Sequence, residues 1–309
     1  MNRTIYLNGQ FLPESEARLS AYDLGVMQAA AVFEMTRSFG GRHFKLREHI
    51  IRLLDSCAAV GIPPPMTSVE WWEDRCNEVS DRNDHGSGEE HRLLITVSPG
   101  PAPMYREIAG DGPTVFISDF PLRYTTAGLG RQFTEGGTAI ISSIQQVPDA
   151  CVPSSAKHRS RLHFHLAQEE AKRKGADWAI LTQEIRDESY IAECPGANIF
   201  FLSHGTLYTP ESGCLRGISR AYVIALARSQ GVEVVETDIG TDHIPERSEE
   251  VFVTGTPFCM LPIVKIGNRM IGDGTPGPVY KKLLDAWSNS VGVGIAEQIQ
   301  AWDAAAGCH

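Results

Sequence analysis

Ile191-Ala192-Glu193-Cys194-Pro195-Gly196-Ala197-Asn198-Ile199-Phe200-Phe201-Leu202 is the stretch on which the reading of this chain turns. Asn198 to Leu202 is an apolar run of strand length, and Pro195-Gly196 marks a turn just before it. Glu193 therefore sits in a turn at the mouth of a strand. A carboxylate partly buried there calls for a cationic partner, and a plain surface glutamate with Cys194 as filling is the alternative.

Three other segments have the same double character. In Leu215-Arg216-Gly217-Ile218-Ser219-Arg220, a glycine precedes a helical pattern. The unpaired N–H groups of Ile218 and Ser219, with the helix dipole, suit an anion such as phosphate. In Val253-Thr254-Gly255-Thr256-Pro257, an apolar strand runs into a glycine turn, leaving the Gly255 and Thr256 backbone and the Thr256 hydroxyl for a ligand. Lys157 stands between the proline-flanked loop Cys151-Val152-Pro153 and an amphipathic helix, with His158, Arg159 and Arg161 close by. Such neighbours lower the proton affinity of an amine and suit it to Schiff-base chemistry. Taken alone, each segment reads more readily as an ordinary helix start, a plain turn or a solvated lysine.

The rest of the chain alternates irregularly. Thr4 to Leu7 and Gln10 to Leu12 form a hairpin about Asn8-Gly9, and Val32 to Arg37 and His43 to Leu46 a second one through Gly40-Gly41. Helices are expected over Arg47 to Val60, Trp71 to Glu78, from Lys157 to Lys174, and over Gly217 to Gln230. Asp81 to Glu90 is a polar loop, and further strands fall at Leu93–Val97, Thr114–Ser118, Thr138–Ile141, Ala179–Leu181, Asn198–Leu202, Val232–Glu236 and Val251–Thr254. This pattern predicts an α+β (mixed α/β) fold and not a doubly wound sheet. The boundaries are a small α/β domain over residues 1–122, a linker over 123–131, a large domain over 132–297 and a tail over 298–309.

Composition narrows the function. Acidic residues outnumber basic ones 38 to 28, and the net charge of −10 opposes binding to nucleic acid or anionic lipid. No apolar run approaches the ~20 residues of a membrane span, and Met1 to Gln10 lacks a secretory pattern, so a cytoplasmic location is expected. Seven scattered cysteines without a CxxC pair read as reduced thiols. His158, His163 and His165 with Cys151 do not share a helix face, no HExxH occurs, and no metal is expected. GxSxG, Walker A and post-strand GxGxxG motifs are absent too.

What decides the matter is order. Lys157, then Glu193 to Phe200, then Arg216 to Arg220, then Phe252 to Thr256 resemble the fold type IV pyridoxal-phosphate enzymes: branched-chain and D-amino-acid aminotransferases and 4-amino-4-deoxychorismate lyases. The likeness runs from about Ile5 to Trp287 and includes Ser20 to Gly25, Val32-Phe33-Glu34, His49 to Leu53 and the Ile271 to Pro278 loop. It implies a two-domain class IV aminotransferase fold with a larger C-terminal pseudo-barrel domain, and a homodimer whose active site lies between the domains. It further implies pyridoxal 5'-phosphate carried on Lys157, Glu193 at the pyridine nitrogen, and Arg52 with Ile218, Ser219, Gly255 and Thr256 at the phosphate. The activity implied moves an amino group between an amino acid, branched-chain or similar, and a 2-oxo acid. Pyruvate release from aminodeoxychorismate, or a non-catalytic cofactor-binding homologue, are the alternatives.

Departures fall where substrate binds. Ala29-Ala30-Ala31 replaces a frequent Gly-Asp-Gly, Leu162 stands where branched-chain enzymes have tyrosine, and the Lys157 to Leu162 run is closer to the lyases. Ser98-Pro99 replaces a familiar Arg-Gly, which leaves Arg37 and Arg106 as candidates for the substrate carboxylate.

Overall fold

The computed structural model describes residues 3–83, 85–86, 88–241 and 247–307. Cys308, and Asp84 and Ser87 of the expected polar loop, lie outside them. The chain folds as two compact units: residues up to Thr125 with Ser155–Arg161, and Thr126–Ser154 with residues from Leu162 onward.

The first unit is built on one antiparallel sheet of β1 (Thr4–Leu7), β2 (Gln10–Pro13), β3 (Val32–Phe39), β4 (Arg42–His43), β5 (His91–Ser98) and β6 (Thr114–Pro121), in the order β2-β1-β6-β5-β3-β4. The first hairpin closes through Asn8 and Gly9, both at positive φ, as a two-residue turn between twisted strands requires. Alternation along β5 and β6 sends Leu93, Ile95, Val97, Val115 and Ile117 to one face. Helices α1 (Leu46–Ala59) and α2 (Val69–Asp81) cover that face. Ile50, Leu53 and Cys57 recur at helical spacing on α1 and are fully buried. Trp72 of α2 is also fully buried and satisfies its indole N–H on the Met66 carbonyl at 2.9 Å.

In the second unit, β7 (Gly137–Ile141), β8 (Trp178–Ile180), β11 (Asn198–Ser203), β12 (Thr206–Thr209), β13 (Glu233–Glu236), β15 (Glu250–Gly255) and β16 (Cys259–Ile266) form a mixed sheet in the order β13-β12-β11-β15-β16-β7-β8. β17 (Arg269–Met270) pairs with β16, and β9 (Thr182–Ile185), β10 (Glu188–Ile191) and β14 (Ile239–Gly240) make a small separate sheet. Every residue of β11 and β15 is buried, which explains their unbroken apolar runs. The helices are α3 (Leu162–Arg173), α4 (Ile218–Ser229), α5 (Pro278–Val291) and α6 (Ile295–Ala306). The mixture is α+β, as expected. Residues 298–306 are not a tail: they belong to α6, whose buried Asp303 accepts hydrogen bonds from the Gly128 and Gly130 N–H groups at 2.9 and 2.7 Å. Among the described residues no helix is long and apolar enough to cross a membrane.

Candidate active site

In the first unit the stretch Ser155–Arg161 lies along the start of β3. The Phe33 N–H donates to the Lys157 carbonyl at 2.9 Å, and the Arg159 N–H donates to the Ala31 carbonyl at 2.8 Å. The Lys157 N–H donates to Ser56 Oγ of α1 at 3.1 Å. The lysine is thus set by a strand on one side and a helix on the other. Its Nζ lies 4.7 Å from the centre of the Phe33 ring, and the Arg159 and Arg161 guanidinium carbons lie 4.0 and 5.4 Å from the same centre. His158 is held below its ordinary proton affinity by burial first, then by Arg161 and Lys157.

Glu34 projects from the other face of β3 and is completely buried. It takes the Arg52 fork, Nε to Oε1 at 2.6 Å and Nη2 to Oε2 at 2.9 Å, and His49 Nδ1 lies 2.7 Å from Oε2. Three residues apart on α1, His49 and Arg52 share the helix face that meets β3. Burial alone would raise the Glu34 carboxyl, but Arg52 and His49 hold it well below the usual carboxylate range.

The second unit brings together the other three sequence segments. Glu193, buried between β10 and β11, accepts from Gln146 Nε2 at 2.8 Å and from the Leu215 N–H at 3.2 Å. Cys194 and Ala197 close the turn behind it by exchanging backbone hydrogen bonds. Asn198 at the start of β11 pairs across the sheet with Thr254 of β15, and its Nδ2 donates to the Leu215 carbonyl at 2.7 Å. Leu215 leads directly to Gly217 and the first turn of α4. The segments of Glu193, Ser219 and Thr256 therefore meet at one end of the β11–β15 pair.

Two glycines let neighbouring side chains pack closely at this end. A Cβ on Gly217 would lie 2.1 Å from Asn198 Oδ1, and one on Gly255 would lie 2.7 Å from the Phe258 ring. The N–H groups of Ile218 and Ser219 open a twelve-residue helix with no side-chain cap. Beside them the buried Thr254 hydroxyl has no partner among the described residues. Burial first, and Glu193 second, push the Cys194 and Cys214 thiols up, Cys214 to about 12, so neither offers a thiolate at neutral pH.

The two candidate arginines for the substrate carboxylate lie in different surroundings. Arg37 is buried four residues along β3 from Phe33, with its guanidinium 3.9 Å over Phe39 and Nε on the Ser38 carbonyl. Arg106 is exposed and pairs with Asp111 at 3.1 Å. Arg159 is the cation that sequence reasoning treated only as a neighbour of Lys157. Its Nη2 donates to Thr96 Oγ1 at 2.9 Å, it has no carboxylate partner among the described residues, and it lines a cavity of about 280 Å³ with Leu19, Val26, Ala29, Ala31 and Phe116. Burial first, then Arg161 and Arg92, lower its pKa to about 10. Ser98, standing where an arginine is familiar, instead donates to Asp23 Oδ1 at 2.7 Å and so pins the 20–25 loop. Gln146, which holds Glu193, carried no signal at all: it lies in a loop without periodicity.

In the second unit a buried carboxylate stands near an uncapped helix start and a glycine turn, and in the first unit a lysine is set between a strand and a helix. Residues 31–266 match the amino-transferase class IV family, and the chain belongs to it. It is 32% identical over 292 residues to a putative branched-chain-amino-acid aminotransferase of Methanocaldococcus jannaschii, covering 92% of this chain and 95% of that protein. It is 28% identical to the D-alanine aminotransferase of Bacillus licheniformis, covering 93% and 96%. Among solved structures, a T.th. branched-chain amino acid aminotransferase complexed with N-(5'-phosphopyridoxyl)-L-glutamate superposes with a TM-score of 0.82 at 28% identity, covering 98% of each chain. The Escherichia coli branched-chain enzyme gives 0.82 at 26% identity, covering 94% of each. The protein is a pyridoxal-phosphate-dependent aminotransferase. Its own residues fit the cofactor: Glu193 offers a buried carboxylate, the N–H groups at the start of α4 have no side-chain cap, and the buried Thr254 hydroxyl is left without a partner among the described residues.

Proposed function

We propose that Lys157 carries the cofactor, that Glu193 pairs with its ring nitrogen, and that Arg52 with Ile218, Ser219, Gly255 and Thr256 holds its phosphate. The observation that carries this reading is the meeting of the Glu193, Gly217 and Gly255 segments at one end of β11–β15. When bound, the cofactor supplies an electron sink for the substrate Cα. Glu193, fixed by Gln146 and the Leu215 N–H, keeps the ring nitrogen protonated. Arg52 meets the phosphate with a guanidinium whose direction Glu34 sets. The Lys157 amine takes the proton from the substrate Cα and returns it to the cofactor C4′ as general base and acid.

The substrate is an amino acid with a small apolar side chain, branched-chain or similar. Supporting this, the cavity beside Arg159 has one guanidinium for a carboxylate and apolar walls of Leu19, Val26, Ala29, Ala31 and Phe116, with Asp23, Thr96, Ser98 and Thr114 as its other polar lining. The named relatives support it as well. A homodimer belongs to the same reading, supported by Met104 and Ile108, which are 79% and 72% exposed. A cytoplasmic location is supported by six free cysteines among the described residues, five of them buried.

Borohydride reduction of the cofactor-loaded enzyme, followed by peptide mass mapping, tests the assignment. The pyridoxyl group is expected on Lys157, and Lys157→Ala should lower turnover by about 10²–10⁴-fold or more. A label on another lysine, or one retained by Lys157→Ala, overturns it. In the same assay Arg159→Met should lower kcat/KM for the oxo acid by about 10- to 100-fold, as the loss of a charge-assisted hydrogen bond requires.

A further inference from the structure

About five residues along β5 from the Thr96–Phe33 pair that adjoins Lys157, three side chains outside the active site point at one centre. Asp119 of β6 is completely buried, His91 opens β5, and His85, also buried, lies between α2 and β5. His91 Nδ1 is 2.6 Å and His85 Nε2 3.3 Å from the same oxygen, Asp119 Oδ2, and one ligand atom from each residue lies within 4.8 Å of the others. The His91–Asp119 hydrogen bond accounts for only part of this arrangement. His85 Nε2 has no well-directed hydrogen bond, and Asp119 Oδ1 has no partner among the described residues. A buried imidazole nitrogen and a buried carboxylate oxygen left without hydrogen bonds in one cluster are what a bound cation would satisfy.

We propose that His85, His91 and Asp119 form a site for a divalent cation of the zinc class. Metal–ligand bonds of about 2.0–2.1 Å in tetrahedral geometry place ligand atoms roughly 3.3 Å apart. The His85–Asp119 separation already has that value. The shorter His91–Asp119 contact widens once the proton between the two atoms gives way to the metal. Two imidazoles with one carboxylate select Zn²⁺ over Mg²⁺ or Ca²⁺, which prefer oxygen alone. His43 is not a fourth ligand, because its ring nitrogens are engaged by Thr36 Oγ1 at 3.1 Å and Ser80 Oγ at 2.7 Å. Water completes the shell. Roughly 16 Å along the strand from the pair that adjoins Lys157, the ion is structural and clips the segment before β5 to β6.

The experiment uses the full cofactor-loaded chain, treated with chelator, dialysed and titrated calorimetrically with ZnCl₂ and, in parallel, MgCl₂. One Zn²⁺ per chain is expected, with Kd of about 1 µM or tighter, a Tm raised by several degrees and no response to Mg²⁺. His85→Asn and Asp119→Asn should each weaken zinc binding by at least about tenfold while leaving transamination intact. No uptake by the unaltered chain at about 100 µM Zn²⁺, or unchanged uptake by both variants with native circular dichroism, overturns the site. Should the variants not fold, X-ray absorption of the zinc-loaded unaltered chain decides: nitrogen and oxygen ligands with imidazole scattering support the site, and sulfur ligands refute it.

Discussion

Glu34 is the residue that orders the α1–β3 junction of the first unit, because one carboxylate holds both the Arg52 fork and His49. Desolvation opposes its charge, and its two partners overcome desolvation, so its folded pKa lies below its unfolded value of about 4.3. A depressed carboxyl contributes stability that is present above the unfolded pKa and lost as pH falls through the folded one. Thermal melts should therefore show Tm falling as pH drops from about 5 toward 3. Glu34→Gln should start about 3–5 kcal/mol less stable, since it leaves Arg52 without its buried counter-charge, and should lose less of its remaining stability over that interval. Parallel pH profiles for the two proteins would show that Glu34 does not carry the acid transition. At the same scale, Ala29 adopts a left-handed backbone, φ 53°, a conformation that favours glycine. The strained alanine lines the Arg159 cavity.

At the scale of elements, the junction of β11, β15 and α4 works because glycine occupies Gly217. Helix α4 begins where the Asn198 side chain has already taken the space a Cβ would fill. Gly217→Ala must push Asn198 away from the Leu215 carbonyl, which should cost about 1–3 kcal/mol of stability and raise the cofactor Kd by about tenfold or more. Gly240→Ala, where nothing lies within 4 Å, is the control and should change neither. Equal behaviour of the two variants in an absorbance titration with cofactor would remove Gly217 from the cup. This junction was legible in the sequence because its parts are local: a turn before an apolar run, a glycine before a helix. β16 was not, since Pro262 interrupts a run that nonetheless lies between β15 and β7. Nor was the return of Ser155–Arg161 to the first unit, because the two backbone hydrogen bonds that join it to β3 leave no pattern in residue types. Arg159 stayed hidden for the same reason: its importance comes from Thr96 and Phe33, which lie far away in the chain.

For the molecule as a whole, the first unit carries apolar surface that its own fold does not use. Residues 19–27 and 100–109 are tied together by the Leu24 N–H on the Gly100 carbonyl at 2.9 Å, the Ala102 N–H on the Tyr22 carbonyl at 2.9 Å, and stacked Tyr22 and Tyr105 rings 4.4 Å apart. Leu19, Tyr22, Val26, Met27, Met104 and Ile108 are exposed on these two segments. Exposed apolar residues grouped on two joined segments mark an interaction site, and a self-complementary patch meets its own copy about a two-fold axis. The segments also contribute Leu19 and Val26 to the Arg159 cavity, so a partner seated there would cover that cavity. Light scattering coupled to gel filtration should give the mass of two chains. Met104→Glu with Ile108→Glu places two charges in each copy of the patch, and should shift the mass toward a single chain and raise KM for the oxo acid. If the double variant stays dimeric with unchanged KM, the two copies meet elsewhere and the Arg159 cavity is completed by its own chain.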